Sequence, residues 1–589
     1  MRRDTRLRRL QVGLARPPPK HPARALNCAR EHAPSLPNPK RRTNPKNSLN
    51  GWLKNGTTSL APAVVDLYLV SPEPPPPPPT FLWPQPQSVS LSAGRARFVA
   101  SQGFTCAQGG GGAPIPELAA ACARLPGALF RHGLHPAAPG AIAGLLVTVA
   151  RPEVPLDVGV NESYALSVSG DGPIAITADT VWGALQGMQT LAQLLDFNFS
   201  AVAYTLPFAV AIADFPRFPY RGVMVDPARN FLPPSVLRQV IDSLALVKLN
   251  VLHVHVLDCD SFPIQVGVPP FQDLWAGAFS PRERYTAAEL AALSEYGRLR
   301  AVNVIYEFDQ PGHMGAMCVA HPELCPTPAC STKYGGDVLD PSSPATLPAM
   351  QAVVDALVQA SPASILHLGG DEVNPACWLA SPSVLAWMAA RNMSAGDDVY
   401  KYFVEQSNAM AVAAGKAPMR WEEVWKHFGT ALHPSTIVHA WLSSQSLFEA
   451  ASAGYRSVFS VGRKNYYLDF LDVQWDAVYD TDILAGLVNA TSAPLILGGQ
   501  MCMWGETVDA ASVLSVIWPR AAAAAERLWS YNFNASTSKS WDTVIRFAQL
   551  RCALLEAGVP APLPGVASAG DMRPAWTVGS CGGGFKALC

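Results

Sequence analysis

Eight short runs rich in β-branched residues follow one another along the chain, and helical stretches separate them. Amphipathic segments such as 235–248 and 287–300 stand between the runs. Short apolar runs that alternate with amphipathic helices are typical of βα units in a parallel sheet. Eight consecutive units predict a (β/α)8 barrel, and a doubly wound open sheet is the competing topology. The predicted strands cover residues 221–226, 250–257, 302–308, 364–368, 418–421, 436–441, 456–460 and 494–497.

A different pattern precedes the barrel. Alternating runs at 164–169 and 174–178 are strand-like, and the helical segment 180–195 follows them. This combination predicts a small α+β domain. We therefore expect a tail at 1–80, an α+β domain at 81–214, the (β/α)8 domain at 215–555 and a C-terminal extension at 556–589.

The 589 residues carry a formal net charge of -1, but that charge is unevenly distributed. The first 56 residues hold 14 of the 44 Lys and Arg and only two acidic residues, which leaves the rest of the chain acidic. An acidic body is not expected to bind nucleic acid. The basic, proline-rich segment has no helical or strand period, so it is interpreted as a tail: a targeting segment, a basic flank or an over-extended gene prediction.

The apolar run 60–70 is interrupted by Pro62 and Asp66 and reaches only about half of the roughly 20 residues that a membrane span needs. We interpret it as a damaged or internal signal sequence or as a spacer, and membrane association is not expected. Twelve cysteines without C-x-x-C spacing and six Asn-x-Ser/Thr sequons favour the secretory pathway, with the vacuole, the lysosome or the extracellular space as destination. A cytosolic enzyme with buried thiols is the alternative. The sequons lie at Asn55, Asn161, Asn198, Asn392, Asn489 and Asn534.

Polar and aromatic residues collect directly after the predicted strands. In a barrel of this type the chemistry lies at the C-terminal ends of the strands. Aromatic faces stack on the C–H surfaces of sugars and carboxylates accept hydrogen bonds from hydroxyls, so this composition suits a carbohydrate. The residues concerned are Asp226, Arg229, Asp258, Asp260, Glu307, Asp309, His313, Asp371, Glu372, Trp421, Glu422, Glu423, Trp441, Tyr466, Tyr467, Asp469, Trp504 and Glu506.

The pair Asp371-Glu372 follows two glycines at the end of the fourth predicted strand. The glycines allow a tight turn, and the apolar strand behind the pair can keep one carboxyl poorly solvated, which raises its pKa as a general acid requires. Adjacent side chains cannot easily face each other across a scissile bond at about 5 Å, as the acid and nucleophile of an ordinary retaining glycosidase do. We therefore expect one carboxyl to protonate the leaving oxygen and the other to hold the substrate. A helix N-cap with a first-turn acid is the alternative.

His253 and His255 lie on one face of the second predicted strand. With Asp258, His313 and His367 they could form a metal site. Histidines that line the barrel and pair with neighbouring carboxylates are the favoured interpretation. Arg229 and Asp258 could likewise form a structural ion pair.

Six longer motifs resemble the β-N-acetylhexosaminidases of glycoside hydrolase family 20. The resemblance runs from about Leu82 to Cys552, with the motifs in the family's order. It implies a (β/α)8 catalytic barrel behind a small α+β domain, removal of terminal β-linked N-acetylglucosamine or N-acetylgalactosamine with retention, and no metal or organic cofactor. The motifs are RGVMVDPARNFL from Arg221, KLNVLHVHVLDCDSFP from Lys248, EFDQPGH from Glu307, HLGGDEV from His367, MCMWGE from Met501 and WPRA to AERLW from Trp518.

The resemblance also implies roles for individual residues. Its mechanism is substrate-assisted, because the 2-acetamido oxygen of the sugar attacks the anomeric carbon. Glu372 is implied as general acid and base, and Asp371 as the group that orients the acetamido group and stabilises the oxazolinium intermediate. Substrate binding is implied for Arg229, Trp421, Trp441, Tyr467, Asp469, Trp504 and Glu506, and support of the site for Asp258, Asp309, His313 and His255.

Disulfides are implied for Cys330 with Cys377, Cys552 with Cys581 and Cys106 with Cys122. The family also implies a homodimer formed through the barrel. The chain departs from the family pattern at Asn230, Val254 and Cys259-Asp260, and none of these changes removes a proton-transfer group.

Three functional hypotheses follow from the sequence. The first is an exo-β-N-acetylhexosaminidase acting on glycans, glycoconjugates or chitooligosaccharides. The second is a catalytically weak or inactive sugar-binding protein on the same fold, suggested by the altered second-strand motif. The third is a metal-dependent hydrolase that uses His253 and His255.

Overall fold

The structure is a computed structural model that describes residues 81–92, 96–169, 172–207, 209–328, 337–462, 465–531 and 537–562. The tail predicted at 1–80, most of the C-terminal extension and the sequons at Asn55 and Asn534 lie outside these residues.

The described residues that precede the barrel form two sheets and two helices. The larger sheet has the strand order β1-β9-β5-β6-β4-β3, with β3, β4 and β6 parallel to one another, and the smaller one is β2-β8-β7. Trp182 and Leu191 of the second helix are buried against the larger sheet. The strands are β1 (Ser88–Ser92), β2 (Arg97–Val99), β3 (Thr105–Gln108), β4 (Gly144–Val149), β5 (Tyr164–Val168), β6 (Ile174–Ala178), β7 (Asp196–Asn198), β8 (Ala203–Leu206) and β9 (Ala209–Asp214), and the helices are α1 (Pro116–Leu129) and α2 (Val181–Leu194).

Eight parallel strands then close into a barrel, which confirms the predicted fold class. Each overlaps a run predicted from the sequence, although β17 extends six residues beyond its run. They are β10 (Tyr220–Val225), β11 (Val251–His255), β12 (Asn303–Glu307), β13 (Ile365–His367), β14 (Ala417–Trp421), β15 (Ile437–Ala440), β16 (Arg456–Phe459) and β17 (Ile496–Met503).

Helices surround the barrel. Their buried faces pack against the outward-facing strand residues in one continuous apolar core. The helices are α3 (Pro234–Leu246), α4 (Ala287–Arg298), α5 (Gly315–Ala320), α6 (Thr346–Ala360), α7 (Ala376–Leu379), α8 (Pro382–Ala389), α9 (Gly396–Ala413), α10 (Glu422–Phe428), α11 (Ser444–Ser452), α12 (Trp475–Tyr479), α13 (Val513–Ile517), α14 (Arg520–Trp529) and α15 (Trp541–Glu556).

The barrel interior is layered because inward-facing residues recur with period 2 along each strand. Strand β11 shows this order, with Val251 at the bottom, His253 in the middle and His255 at the top. The bottom layer is apolar and joins Val251 to Ile305, Ile365, Met419, Ile437 and Val458. The inward-facing histidines and carboxylates lie above this layer, near the ends of the strands, in a region that we call the barrel mouth.

Val254, one of the departures from the family pattern, does not face the barrel interior. Its side chain is fully buried in the core between strands and helices, not in the barrel interior. This departure from the family pattern therefore does not shape the pocket directly.

Two of the disulfides involve cysteines that are both described. Cys106 pairs with Cys122, as the resemblance implies, and Cys318 pairs with Cys325, which was not expected. Cys377 and Cys552 are also disulfide-bonded, but their expected partners Cys330 and Cys581 lie outside the described residues.

Within the described ranges, no helix is both long and apolar enough to cross a membrane.

A buried ion pair joins the α+β region to the first barrel strand. Arg221 Nη2 donates to Glu162 Oε1 at 2.7 Å and to Oε2 at 2.9 Å, and both side chains are almost fully buried. Gln186 and Asn250 donate to the same carboxylate. A second pair, Lys248 Nζ with Asp214 Oδ2 at 2.7 Å, lies in the same interface.

Replacing Glu162 with Ala should lower the free energy of unfolding by about 3–5 kcal/mol, because it leaves the Arg221 charge buried without its partner. Urea unfolding followed by tryptophan fluorescence measures the change. Glu153→Ala is the matched control, because Glu153 is an exposed glutamate of the same region. If both variants unfold at the wild-type urea concentration, the buried pair does not hold the two parts together.

Candidate active site

The segment between β13 and Asp371 turns sharply through two glycines. Gly369 and Gly370 have φ angles of 54° and 97°, which only glycine adopts readily. A Cβ added at Gly369 would lie 1.9 Å from Asp309 Oδ1. The Gly370 N–H donates to that same oxygen at 2.9 Å. The tight turn predicted from the sequence is therefore present, and it fixes the carboxylate pair against β12.

Glu372 is held in an unusual backbone conformation. Its φ is 51°, in the left-handed region that costs a non-glycine residue about 1–3 kcal/mol and that is concentrated at functional sites. His313 shares this feature, with a φ of 56°. Both residues thus have strained backbones at neighbouring positions of the barrel mouth.

The two carboxyls of the pair differ in their access to water. The side chain of Asp371 is 10% exposed and that of Glu372 is 29% exposed. Burial raises the pKa of Asp371 well above its usual value, and the nearby Asp309 carboxyl adds to this. The sequence predicted one poorly solvated carboxyl, expected to be the acid, and the structure shows that Asp371 is the more buried member.

His313 lies beside both members of the pair. Its Nε2 is 3.6 Å from Glu372 Oε2 and 3.9 Å from Asp371 Oδ2, while its Nδ1 is 3.2 Å from Asp258 Oδ1. Burial alone would lower the pKa of His313, but Asp258 and Asp309 hold it well above its usual value. The imidazolium therefore connects the Asp258 carboxylate to the edge of the Asp371-Glu372 pair.

Arg229 is held by carboxylates from two loops. Its Nη2 is 2.8 Å from Asp258 Oδ2 and its Nη1 is 3.3 Å from Asp226 Oδ2. The guanidinium also lies over the Trp504 ring, 5.2 Å from its centroid. The ion pair left open by the sequence is therefore formed, and it positions an arginine whose side chain is still 12% exposed.

Four aromatic side chains gather next to these charges. Trp441 and Tyr467 stack with nearly parallel rings, and Trp421 and Trp504 lie 6.0 Å apart. Trp421 is fully buried, so it forms the base of the cluster, whereas Trp441 and Trp504 are only partly buried. The four residues expected to bind substrate as an aromatic set are therefore brought together.

Asp469 and Glu506 lie at the rim. Glu506 is exposed, and Asp469 is half-buried. Burial raises the pKa of Asp469 to about 7, and the Glu506 carboxylate contributes to this rise. The two acids are thus close enough to interact.

Three strand-end acids outside the predicted site residues have clear structural roles. Asp226 Oδ1 accepts from the Arg229 N–H and Asp226 Oδ2 from the Gly505 N–H, which ties two loops together. Glu423 accepts from Trp441 Nε1 at 2.8 Å, and burial raises the pKa of Glu423 to about 7. The sequence showed that these acids follow strands, but it did not show which residues they contact.

Glu307 is the third of these acids and lies at the centre of the middle layer. It accepts hydrogen bonds from His255 Nδ1 at 2.6 Å and Trp421 Nε1 at 2.8 Å. His253 Nε2 and His367 Nδ1 each lie 3.0 Å from its oxygens. Burial alone would raise the pKa of Glu307, but His367, His255 and His253 hold it well below the usual value.

The histidines of the hypothetical metal site form hydrogen bonds with one another or with nearby polar side chains. His255 Nε2 is 2.8 Å from Asp258 Oδ2, His367 Nε2 is 3.2 Å from His439 Nδ1, and His253 Nδ1 is 3.0 Å from Gln500 Nε2. His253, His367 and His439 could geometrically hold a cation. Their existing contacts instead agree with the interpretation of barrel-lining histidines.

Several buried polar atoms at the barrel mouth have no hydrogen-bond partner among the described residues. Buried polar groups are nearly always satisfied, so an unsatisfied set at one place indicates where a ligand binds. The atoms are Asp309 Oδ2, His313 Nε2, Asp371 Oδ1, Tyr467 Oη and Asp469 Oδ1.

Comparisons with known proteins point to one family. Residues 218–532 match the family model described as "Glycosyl hydrolase family 20, catalytic domain", and residues 82–194 match "beta-acetyl hexosaminidase like". Beta-hexosaminidase 1 of Arabidopsis thaliana is 39% identical over 430 residues, which cover 71% of this chain and 77% of that protein. Beta-hexosaminidase subunit alpha of Bos taurus is 32% identical over 442 residues, covering 72% of this chain and 81% of that protein. Among solved structures, a chitobiase of Flavobacterium johnsoniae has a TM-score of 0.70 at 28% identity and covers 82% of this chain and 73% of that chain.

Asp469→Asn should change the pH dependence of stability. A carboxyl whose pKa is raised by folding destabilises the folded state where it must ionise, so its cost appears as the pH rises from about 4 to above 7. The variant should melt slightly above the wild-type temperature at pH 5 and by a larger margin, a few degrees, at pH 8. Thermal unfolding at the two pH values tests this, with Asp472→Asn as the control on the same loop. An equal difference from wild type at both pH values would contradict the prediction.

Proposed function

The chain belongs to glycosyl hydrolase family 20 and is a β-hexosaminidase, and we propose that it removes terminal, non-reducing N-acetylglucosamine or N-acetylgalactosamine by a retaining, substrate-assisted reaction. The substrates would be glycans, glycoconjugates or chitooligosaccharides. The observation that carries this proposal is the geometry of Asp371 and Glu372, two adjacent acids on one turn with unequal burial.

An ordinary retaining glycosidase needs a second carboxylate opposite the acid, about 5 Å away across the scissile bond. Asp371 and Glu372 come from the same turn after β13, so neither approaches the sugar from the opposite side. A nucleophile carried by the substrate removes the need for such a residue. The acetamido oxygen of an N-acetylhexosamine is suitable, because it can reach its own anomeric carbon and form a five-membered oxazolinium ring.

We assign proton transfer to Glu372, the more exposed member of the pair. It would protonate the leaving oxygen and then accept the proton of the attacking water. His313 Nε2, 3.6 Å from Glu372 Oε2, would be a positioning residue for this carboxyl. Its Nε2 would hold the Glu372 carboxyl in position for both steps.

We assign the acetamido group to the space bounded by Asp371, Tyr467 and the three tryptophans Trp421, Trp441 and Trp504. Tyr467 Oη is a buried donor that has no acceptor in the described chain, which suits the acetamido oxygen. Burial, with the nearby Asp309 carboxyl, raises the pKa of Asp371 well above its usual value and so disfavours its ionised form in the free site. The positive charge of the oxazolinium would favour its ionised form, so Asp371 would stabilise the charge only as that charge develops.

The hydroxyls of the sugar would be bound by Arg229, Glu506 and Asp469. Asp226 and Asp258 hold Arg229 in position, and its side chain, 12% exposed, would donate to the sugar. Asp469 and Glu506 would accept from the 4- and 6-hydroxyls. Asp258, Asp309 and His255 would support these groups from below.

A catalytically weak sugar-binding protein is the second candidate, because Cys259 and Asp260 alter the loop after β11. Both proton-transfer groups remain in place, which favours the enzyme over this candidate. Turnover of an aryl β-N-acetylglucosaminide by the purified protein separates the two.

We also propose that the protein enters the secretory pathway and reaches the vacuole, the lysosome or the extracellular space. The two disulfides with known partners and the four described sequons support this, since Asn161, Asn198, Asn392 and Asn489 are all exposed. Peptide mapping with and without a glycosidase that removes N-glycans would test the sequons.

A homodimer formed through the barrel remains a prediction.

Glu372→Gln should lower kcat/KM on an aryl β-N-acetylglucosaminide with a poor leaving group by about 10²–10⁴-fold, because leaving-group protonation is lost. The loss should be much smaller with a dinitrophenyl leaving group, which departs without a proton. Steady-state kinetics on both substrates measure the two effects. Glu405→Gln, an exposed glutamate on α9, is the control. Equal losses on the two substrates would show that Glu372 is not the acid.

Asp371→Asn should lower kcat by about 10²–10³-fold with little change in KM, because the charge it stabilises is absent from the bound substrate. The same kinetics measure this, and product analysis confirms that residual turnover gives the same sugar. A raised KM with wild-type kcat would instead make Asp371 a ground-state binding residue.

A further inference from the structure

Three different ligand types meet beside the candidate catalytic pair. Asp258 and Cys259 follow β11, and His313 follows β12. One carboxylate oxygen, the Cys259 sulfur and one His313 ring nitrogen all lie within 4.8 Å of one another. Asp258 and His313 are buried and Cys259 is half-buried, so this cluster opens towards solvent on the thiol side.

The loop geometry keeps the thiol next to the imidazole. The Cys259 N–H donates to Asp258 Oδ1, and that oxygen is 3.2 Å from His313 Nδ1. Gly315, two residues after His313, packs so closely on the β11 loop that an added Cβ would lie 3.2 Å from Cys259 Cα. Two independent contacts therefore hold the Cys259 backbone against the segment that carries His313.

This ligand set is chemically specific. One sulfur, one nitrogen and one oxygen donor suit Zn²⁺, whereas Mg²⁺ and Ca²⁺ prefer oxygen donors. Zn²⁺ bonds of about 2.0–2.3 Å place tetrahedral ligand atoms about 3.3–3.8 Å apart. The three ligand atoms lie within 4.8 Å of one another, so they need to move about 1 Å closer together. Rotation of the Cys259 side chain can provide this movement. The fourth position is left for water.

The charges around the cluster favour a cation. Asp260 lies on the same loop, and Asp309 and Asp371 face His313 from the neighbouring strand ends. Arg229, 2.8 Å from the other oxygen of Asp258, opposes this attraction. Asp258 can keep that ion pair through Oδ2 while Oδ1 binds the metal.

We infer that Asp258, Cys259 and His313 form an inhibitory Zn²⁺ site. Binding forms bonds from the metal to sulfur, oxygen and Nδ1, and it releases the thiol proton and the Nδ1 proton to solvent. Drawn towards the metal, the His313 ring moves its Nε2 away from Glu372, which it would otherwise hold in position, so turnover falls. Metal binding itself does not depend on the proposed function, but the inhibition rests on it.

The first test is Zn²⁺ titration of activity on metal-free protein in a non-chelating buffer. The wild type should be inhibited by micromolar Zn²⁺, unaffected by the same concentration of Mg²⁺, and restored by EDTA. Cys259→Ala should keep basal activity and need at least about tenfold more Zn²⁺ for half inhibition, since loss of even an indirect ligand contact costs 10–100-fold in affinity. Cys259→Ser, of nearly equal size, should behave as Cys259→Ala does.

A competing cluster makes this test decisive. Asp309, His313 and Asp371 could also hold a cation, and they do not include the thiol. If Zn²⁺ acts there, Cys259→Ala is inhibited at the wild-type concentration and the inference is wrong. Absence of inhibition in the wild type would overturn it as well.

A second readout is independent of activity. Co²⁺ should give the wild type a sulfur-to-cobalt charge-transfer band in the near ultraviolet, which Cys259→Ala and Cys259→Ser should both lack. Cys502 is the other described cysteine outside a disulfide, and it is buried. If the assignment to Cys259 is correct, Cys502 gives no such band in the variants. A band retained in both variants would place the metal elsewhere, even if the protein proved to have no hydrolase activity.

Discussion

The Glu307 carboxylate, buried in the middle layer of the barrel, is the group on which the site above it depends. A buried carboxylate is costly unless it is paired and hydrogen-bonded, and His255, Trp421 and two further histidines meet that requirement. Its partners come from three other strands, so a single charge fixes their positions relative to one another. His255 and Trp421 in turn contact Asp258 and Trp504, which belong to the pocket.

Asp371 and Glu372 are adjacent in the chain but differ in their burial. The turn through Gly369 and Gly370 buries Asp371 against Asp309 and leaves Glu372 towards solvent. Burial disfavours an ionised Asp371, and the nearby Asp309 carboxyl disfavours it further, so the pKa of Asp371 rises. In the proposed mechanism, a cationic intermediate would reverse this preference and favour an ionised Asp371.

Much of the fold and part of the site could be predicted from the sequence, for identifiable reasons. The eight strands were predicted because β-branched runs have a local signature, but β17 was placed at 494–497 and extends over Ile496–Met503. Gly498 and Gly499 lower the β propensity there, and pairing with β10 and β16 overrides it. Position after a strand was enough to find Asp371, Glu372 and Arg229. The partners of Glu307, Glu423 and Asp226 were not predictable, because they depend on contacts between residues far apart in the chain.

The central claim is that the substrate's own amide is the nucleophile, and its most direct measurement is kcat/KM for substrates whose N-acetyl group carries zero, one, two or three fluorine atoms. Fluorine withdraws electrons from the carbonyl oxygen and weakens its attack on the anomeric carbon. The account predicts a steep fall in kcat/KM with each fluorine. Equal values across the four substrates would contradict it and would require a nucleophile from the protein or from water.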